Sequence, residues 1–256
     1  MKPKQVLNLY KKAGETPLER LLRFKAKNPK YKDIKITYAG RLDPMAEGVL
    51  LVVCGQEIKN KEKYLKLKKE YEAEFLFGIE TDTHDLLGKV EKINFLNTKN
   101  FKLNAEKVLL GFQKEYVQSY PKYSSKTVDG IQLHALARAG EIRNKDLPKK
   151  SVNIYLIKIC GWKKMSGKKL LNLIKKNIIK VGGDFRQQEI LSLWKKNLKN
   201  FKNNIFSICN VKIKCSSGTY VRQLAHDVGQ ILNVGAIACK IKRTKVGNYS
   251  ISRSIK

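Results

Sequence analysis

One loop constrains this chain more than any other stretch. Tyr38-Ala39-Gly40-Arg41-Leu42-Asp43-Pro44-Met45-Ala46-Glu47-Gly48-Val49-Leu50 sets a single carboxylate between two glycines, directly ahead of an apolar, strand-sized run from Val49 to Val53. Pro44 fixes its own φ and drives Asp43 toward extended backbone, while Gly40 and Gly48 permit left-handed geometry or close approach by another backbone. An isolated Asp-Pro is a common turn opener. Here the flanking glycines and the strand that follows make a loop suited to holding one side chain still.

Three further segments stand at compatible distances. The first is Lys69-Glu70-Tyr71-Glu72-Ala73-Glu74-Phe75-Leu76-Phe77-Gly78, followed by Thr81-Asp82-Thr83-His84-Asp85-Leu86-Leu87-Gly88. The second is Pro121-Lys122-Tyr123-Ser124-Ser125-Lys126, with Gly130 and Ala137-Arg138-Ala139-Gly140 beyond it. The third is Cys215-Ser216-Ser217-Gly218-Thr219-Tyr220-Val221-Arg222, continued by Asp227, Gly229, Gly235-Ala236, Lys242-Arg243-Thr244 and Gly247. In order and spacing these segments, with the Asp43 loop and its G-x-L-D-P-x-A-x-G-x-L pattern, resemble the TruB-type tRNA pseudouridine synthases from Val6 to Tyr249.

The resemblance implies an α+β catalytic fold, a mixed and mainly antiparallel sheet flanked by helices, and an isomerase that needs no cofactor. Its implied substrate is uridine 55 in the T loop of tRNA. The uridine would be flipped from the stack, because its reacting atoms are inaccessible inside it. Asp43 then takes the place of the residue that attacks the target nucleotide. Tyr71 takes that of the tyrosine that stacks on the flipped uracil and is placed to remove its C5 proton, and Arg222 that of the arginine paired with the aspartate. Tyr38, Gly40, Leu42, Lys59, Lys69 and Ile241 fall at positions near the substrate cleft. Without the resemblance, the favoured reading of Tyr71 is a core strand aromatic, and Arg222 reads as an ordinary helix-surface charge.

Three departures accompany the match. Tyr38 stands where the family usually has a histidine ahead of the loop, which keeps a stacking ring and loses the imidazole's hydrogen bonds. The early K-P-x-G segment appears as Lys11-Lys12-Ala13-Gly14. The chain also ends soon after Tyr249, so residues 1–256 are expected to form one catalytic domain without the small PUA-like C-terminal RNA-binding domain.

Composition points to the same class of partner. A formal charge of +31, from 53 Lys and Arg against 22 Asp and Glu, suits a polyanion, and nucleic acid is the simplest one. An AT-rich genome inflates Lys, Ile and Asn together, so about half of the excess is assigned to function. No apolar run approaches bilayer length and the N-terminus carries no signal-peptide core, so a cytoplasmic protein that avoids membranes is expected, and a monomer is expected as well. Five cysteines without a C-x-x-C pair and three histidines without ligand spacing suggest neither a disulfide framework nor a metal site. An alternative in another class is a basic RNA-binding or tRNA-folding module without turnover; within the enzyme class, another RNA stem-loop is an alternative substrate.

Local patterns predict the elements. Thr16, Pro17 and Glu19 open a capped helix with Leu18, Leu21 and Leu22 inward and Arg20, Arg23, Lys25 and Lys27 outward. Tyr71, Ala73, Phe75 and Phe77 alternate with Glu72, Glu74 and Leu76 as a one-sided strand. Residues 152–157 and 211–215 read as further strands. Thr219 is expected to cap a helix buried through Val221, Leu224, Ala225, Val228 and Ile231, with Arg222 off that stripe. Residues 161–204 read as an inserted basic helical hairpin, its second helix opened by Asp184 and Gln187. The expected packing positions are Leu170, Leu171, Ile174, Leu191 and Trp194, leaving Lys163, Lys164, Lys168, Lys169, Lys175, Lys176, Lys195 and Lys196 exposed.

Overall fold

Alternation in Lys69–Phe77 builds the middle of a nine-stranded sheet. The computed structural model describes residues 3–94, 100–142 and 147–256. The chain runs β1 (Val6–Lys11), α1 (Pro17–Ala26), β2 (Ile36–Tyr38), β3 (Ala46–Cys54), α2 (Lys61–Leu65), β4 (Lys69–Phe77), β5 (Ile79–Thr81), β6 (Val90–Ile93), α3 (Phe101–Gly111) and β7 (Glu115–Ser119). It continues through β8 (Thr127–Val128), β9 (Ile131–Gln132), α4 (Leu133–Ala139), β10 (Lys149–Ser166), α5 (Gly167–Ile178), α6 (Gln187–Leu198), β11 (Ile205–Cys215), α7 (Val221–Ile231), β12 (Ala236–Val246) and β13 (Tyr249–Ser250). The sheet order is β1-β3-β12-β4-β11-β10-β7, with β2 added to β3 and β13 to β12. The β3–β12 pair is parallel and β12–β4, β4–β11 and β11–β10 are antiparallel, which bears out the mixed, mainly antiparallel α+β reading.

On β4, Tyr71, Ala73, Phe75 and Phe77 face a core shared with α3 and α7. Burying each phenylalanine contributes roughly 1.5–3 kcal/mol. On the opposite face Glu70 and Glu72 meet lysines of β11 and β12, whereas Leu76 is fully buried in a second core. That face is therefore polar only where nothing covers it.

The cover is the hairpin. Its helices start later than expected, because residues 161–166 extend β10 and pair with β11. Leu170, Ile174, Ile178, Ile190, Trp194 and Leu198 are fully buried against Leu76, Phe206, Ile208 and Ile237, and Leu171 and Leu191 are partly buried. Trp194 donates its indole N–H to the carbonyl of Leu86 at 3.2 Å. The hairpin thus completes the core as well as packing on itself. Asp184 does not cap α6: its carboxylate accepts from the Arg186 amide at 3.2 Å, and the helix begins after Arg186 in left-handed conformation.

Two other helices also differ in detail. The Thr16–Glu19 capping box forms in both directions. However, Leu18 and Leu22 are each 58 % exposed, and the buried stripe of α1 is Arg20, Leu21 and Phe24. Arg20 is carried inward because its guanidinium satisfies the carbonyls of Tyr10 and Ile255 at 2.7 and 2.9 Å, partners that pattern reading cannot supply. In α7 Ile231 lies exposed in the last turn, Arg222 is buried, and Thr219 bonds back to the Ser216 carbonyl while Tyr220 holds the cap position. Among the described residues no helix is long and apolar enough to cross a membrane.

Candidate active site

Arg222 is the buried centre of the site. Its guanidinium has three directed partners: Nε donates to Asp43 Oδ2 at 2.9 Å, one terminal nitrogen to the Thr83 carbonyl at 2.8 Å and the other to the Tyr123 carbonyl at 2.9 Å. Burial alone would depress its pKa, but Asp43 and Asp85 more than reverse that, so it is held as a cation. The guanidinium side chain is 3 % exposed and the Asp43 side chain 34 %. One end of the ion pair is therefore locked in protein and the other opens to a ligand.

The loop holding Asp43 is pinned from two directions. Gly48 adopts φ +115°, and a Cβ there would sit 2.1 Å from the Arg243 carbonyl, so only glycine lets β12 run parallel against this strand. That approach allows buried Arg243 to donate to the carbonyls of Val49, Arg41 and Gly40 at 2.8, 3.1 and 3.2 Å. From the other side Lys11, also buried, donates to the carbonyls of Glu15 at 2.5 Å and Pro44 at 3.3 Å, and burial lowers its pKa to about 8.

A cleft of about 410 Å³ opens beside Asp43, and Tyr38, Gly40, Leu42, Lys69, Tyr71 and Ile241 all line it. Burial pushes the Tyr71 hydroxyl up to about 12, so it is neutral at physiological pH. Lys59 does not line this cleft; it lies exposed in the turn at Gly55–Asn60, and Lys61 is the lysine at the rim. Arg243, Tyr120 and Tyr220 line the cleft as well. Sequence reasoning did not select them as site residues; the signal for Arg243 was its place in the Lys242-Arg243-Thr244 run of the family resemblance. Asp43 also borders a second cleft of about 420 Å³, which includes Leu42, Thr83, Tyr123, Phe185, Arg186 and Arg222. Among the described residues no group of His, Cys, Asp and Glu is arranged to hold a metal ion. The arrangement offers one oriented, solvent-reached carboxylate beside a buried phenol, which suits nucleophilic or proton-transfer chemistry on a planar ligand.

Lys69 gives a pH test of the cleft floor. Its ammonium donates to the Leu65 carbonyl at 2.5 Å, while burial, aided by Arg243, lowers its pKa from 10.5 to about 8. Between these values the unfolded chain keeps a proton that the folded one has released, so stability rises with pH across that window. Urea titrations are expected to show a steeper rise in wild type than in Lys69→Met, where Lys11 still contributes its own. The difference between the two proteins should change by up to about 3 kcal/mol, less whatever the Leu65 bond contributes. Parallel pH profiles would mean that Lys69 ionises as it does in water.

Comparison with known proteins adds a family to this geometry. A family model described as TruB family pseudouridylate synthase (N terminal domain) matches residues 25–166. The chain is 32 % identical to the tRNA pseudouridine synthase B of Clostridium kluyveri and 31 % identical to that of Borreliella burgdorferi. The alignments cover 98 % and 97 % of this chain, and 70 % and 71 % of those proteins. The crystal structure of a Cbf5–Nop10–Gar1 complex superposes with a TM-score of 0.57 at 19 % identity, over 96 % of this chain and 49 % of that one. An H/ACA RNP bound to a substrate RNA containing 2′-deoxyuridine gives 0.53 at 18 % identity, over 96 % and 48 %. The chain spans about half the length of these structures, and the likeness shows the fold.

Proposed function

The chain belongs to the TruB family of pseudouridylate synthases, and on that premise we propose that it converts uridine 55 in the T loop of tRNA to pseudouridine. The observation that carries this reading is the Asp43–Arg222 pair: a half-open carboxylate oriented by a fully buried guanidinium on the wall of a cleft that also holds Tyr71. A module that only bound RNA would have no use for that pair.

The reaction is an isomerisation. The bond from ribose C1′ to uracil N1 breaks, the base turns, C1′ bonds to C5, the C5 proton leaves, and N1 ends protonated. Nothing is oxidised and no group is gained or lost. Asp43 supplies the nucleophile or base, and Arg222 keeps it ionised and aimed. Tyr71 offers the flipped uracil a stacking surface, and burial that raises its hydroxyl pKa to about 12 keeps it a neutral phenol that donates a proton; it can take the C5 proton only as it passes its own to a neighbouring base. Extracting the nucleotide costs a few kcal/mol, which stacking and phosphate contacts at the rim offset. Arg41, Lys61 and Lys126 line the cleft and supply the cations for those contacts.

The test is incubation of purified protein with an unmodified tRNA transcript, followed by mapping of pseudouridine. Conversion at position 55 is expected. Conversion confined to another RNA stem-loop would move the substrate assignment, and tight tRNA binding without conversion would leave the RNA-binding module as the better reading.

A further inference from the structure

We propose that the α5–α6 hairpin is a second RNA-binding element, which carries the strand flanking the target nucleotide from the Asp43 cleft along its lysine face. The proposal rests on the pseudouridine synthase reading above and assigns a role to a segment outside the residues that the family model matches, the last of which, 166, precedes α5.

The linker between the helices reaches the cleft itself. Phe185 and Arg186 share a cleft wall with Asp43, Leu42 and Arg222. The Arg186 guanidinium lies 4.5 Å over the Tyr123 ring and donates to the Tyr123 hydroxyl and to Asp82, each at 3.0 Å. Tyr123 is the residue whose carbonyl receives Arg222. On the other side Gly182 donates to the Gly14 carbonyl at 3.2 Å, and the Gly14 amide donates to the carbonyl of Pro44, next to Asp43, at 2.8 Å. Gly14 sits at φ +91°, and a Cβ there would lie 2.6 Å from the Lys180 carbonyl, so the end of α5 is seated directly on the loop that supports the nucleophile. Both helices therefore lead away from the reacting centre. At twelve residues each they extend about 18 Å.

The charge they carry has the sign and exposure for a polyanion. Residues 167–204 hold ten Lys and Arg against two acids. Neither acid neutralises the helical lysines: Asp184 accepts from the Arg186 amide, and Glu189 pairs with Lys89 at 2.6 Å. Lys168, Lys169 and Lys176 are exposed and Lys175 is half-buried, and none of the four has an ion-pair partner among the described residues. The apolar stripe of both helices is already consumed by the core, so what the hairpin offers outward is charge. Excess cations unbalanced by acids, on a rigid support continuous with the catalytic cleft, fit RNA phosphates, whose neutralisation releases condensed counterions.

The experiment compares two fourfold variants of the intact chain with wild type. One is Lys168→Gln, Lys169→Gln, Lys175→Gln and Lys176→Gln. The other makes the same change at Lys92, Lys102, Lys107 and Lys114, exposed lysines elsewhere; Lys99 lies outside the described residues. Filter binding of tRNA transcripts between about 50 and 200 mM salt reads the slope of log affinity against log salt. The hairpin variant is expected to lose about three to four units of slope, so that wild-type affinity falls roughly 100-fold more than the variant's across that range, equally for tRNAs of different sequence. The control set should lose less than about one unit. Equal losses from the two sets, or an unchanged slope in the hairpin variant, would overturn the proposal; all three proteins should melt alike, because none of the changed lysines is buried in a core. Pseudouridine mapping with wild type runs in parallel. If pseudouridine forms while the slopes match, only the hairpin proposal fails, whereas absence of pseudouridine defeats the functional reading and the proposal with it.

Discussion

Asp43→Asn is expected to reduce pseudouridine formation by at least about a thousandfold while leaving tRNA affinity and folding nearly intact. The amide keeps the volume of the carboxylate, and its oxygen can still accept the Arg222 Nε–H that Asp43 Oδ2 accepts at 2.9 Å. The loop is held by Lys11 and Arg243 through backbone carbonyls, so it does not depend on the charge of Asp43. What is lost is nucleophilic and basic power alone. Single-turnover rates with excess enzyme separate this from binding, and a rate within tenfold of wild type would remove Asp43 from the mechanism.

Loss of the Arg222 guanidinium should damage both activity and stability, in different proportions according to the replacement. Arg222→Met removes the donors to Thr83 and Tyr123, whose carbonyls are left facing an apolar side chain. Breaking a buried pair typically costs 3–5 kcal/mol, and about 3 is expected here because the partly exposed Asp43 carboxylate can turn to water. For a domain of this size that is a fall in melting temperature of roughly 6–12 °C. Arg222→Lys keeps a cation without the fork geometry, so it should fold better yet turn over at least about a hundredfold more slowly. The loss should lie mainly in the rate of bound substrate, since the arginine acts by aiming Asp43. Adding Arg222→Lys to Asp43→Asn should lower the rate little further, because the two residues act as a unit. Full additivity would place Arg222 outside the catalytic apparatus.

The legible parts of this protein were those carried by short-range physics. The Asp43 loop announces itself because proline restricts and glycine widens the backbone angles whatever surrounds them, and the apolar run after it is strand-sized. Period-two alternation gave β4 with Tyr71 on its apolar face, and the Thr16–Glu19 box gave the start of α1. Tyr71 and Arg222 could be placed beside Asp43 only through the family resemblance. No local pattern says that a residue 179 positions away will donate to the Asp43 carboxylate.

Tertiary structure decided where the long cations go. Arg20, Arg222 and Arg243 occupy positions that pattern reading gives to solvent or leaves open, yet each is buried because backbone carbonyls from distant segments converge on its guanidinium. Burial of a charge depends on partners, and partners are set by topology. Conversely Leu18 and Leu22 were expected inward and stay exposed, since no element among the described residues covers that side of α1. The hairpin shows both sides of this division. Its two amphipathic helices follow from the 3.6-residue spacing of Leu170, Ile174, Ile178, Ile190, Trp194 and Leu198. That their linker would brace Gly14 and bring Arg186 onto Tyr123 was decided by the sheet face they cover, because periodicity fixes which side of a helix is buried but carries no information about what lies opposite.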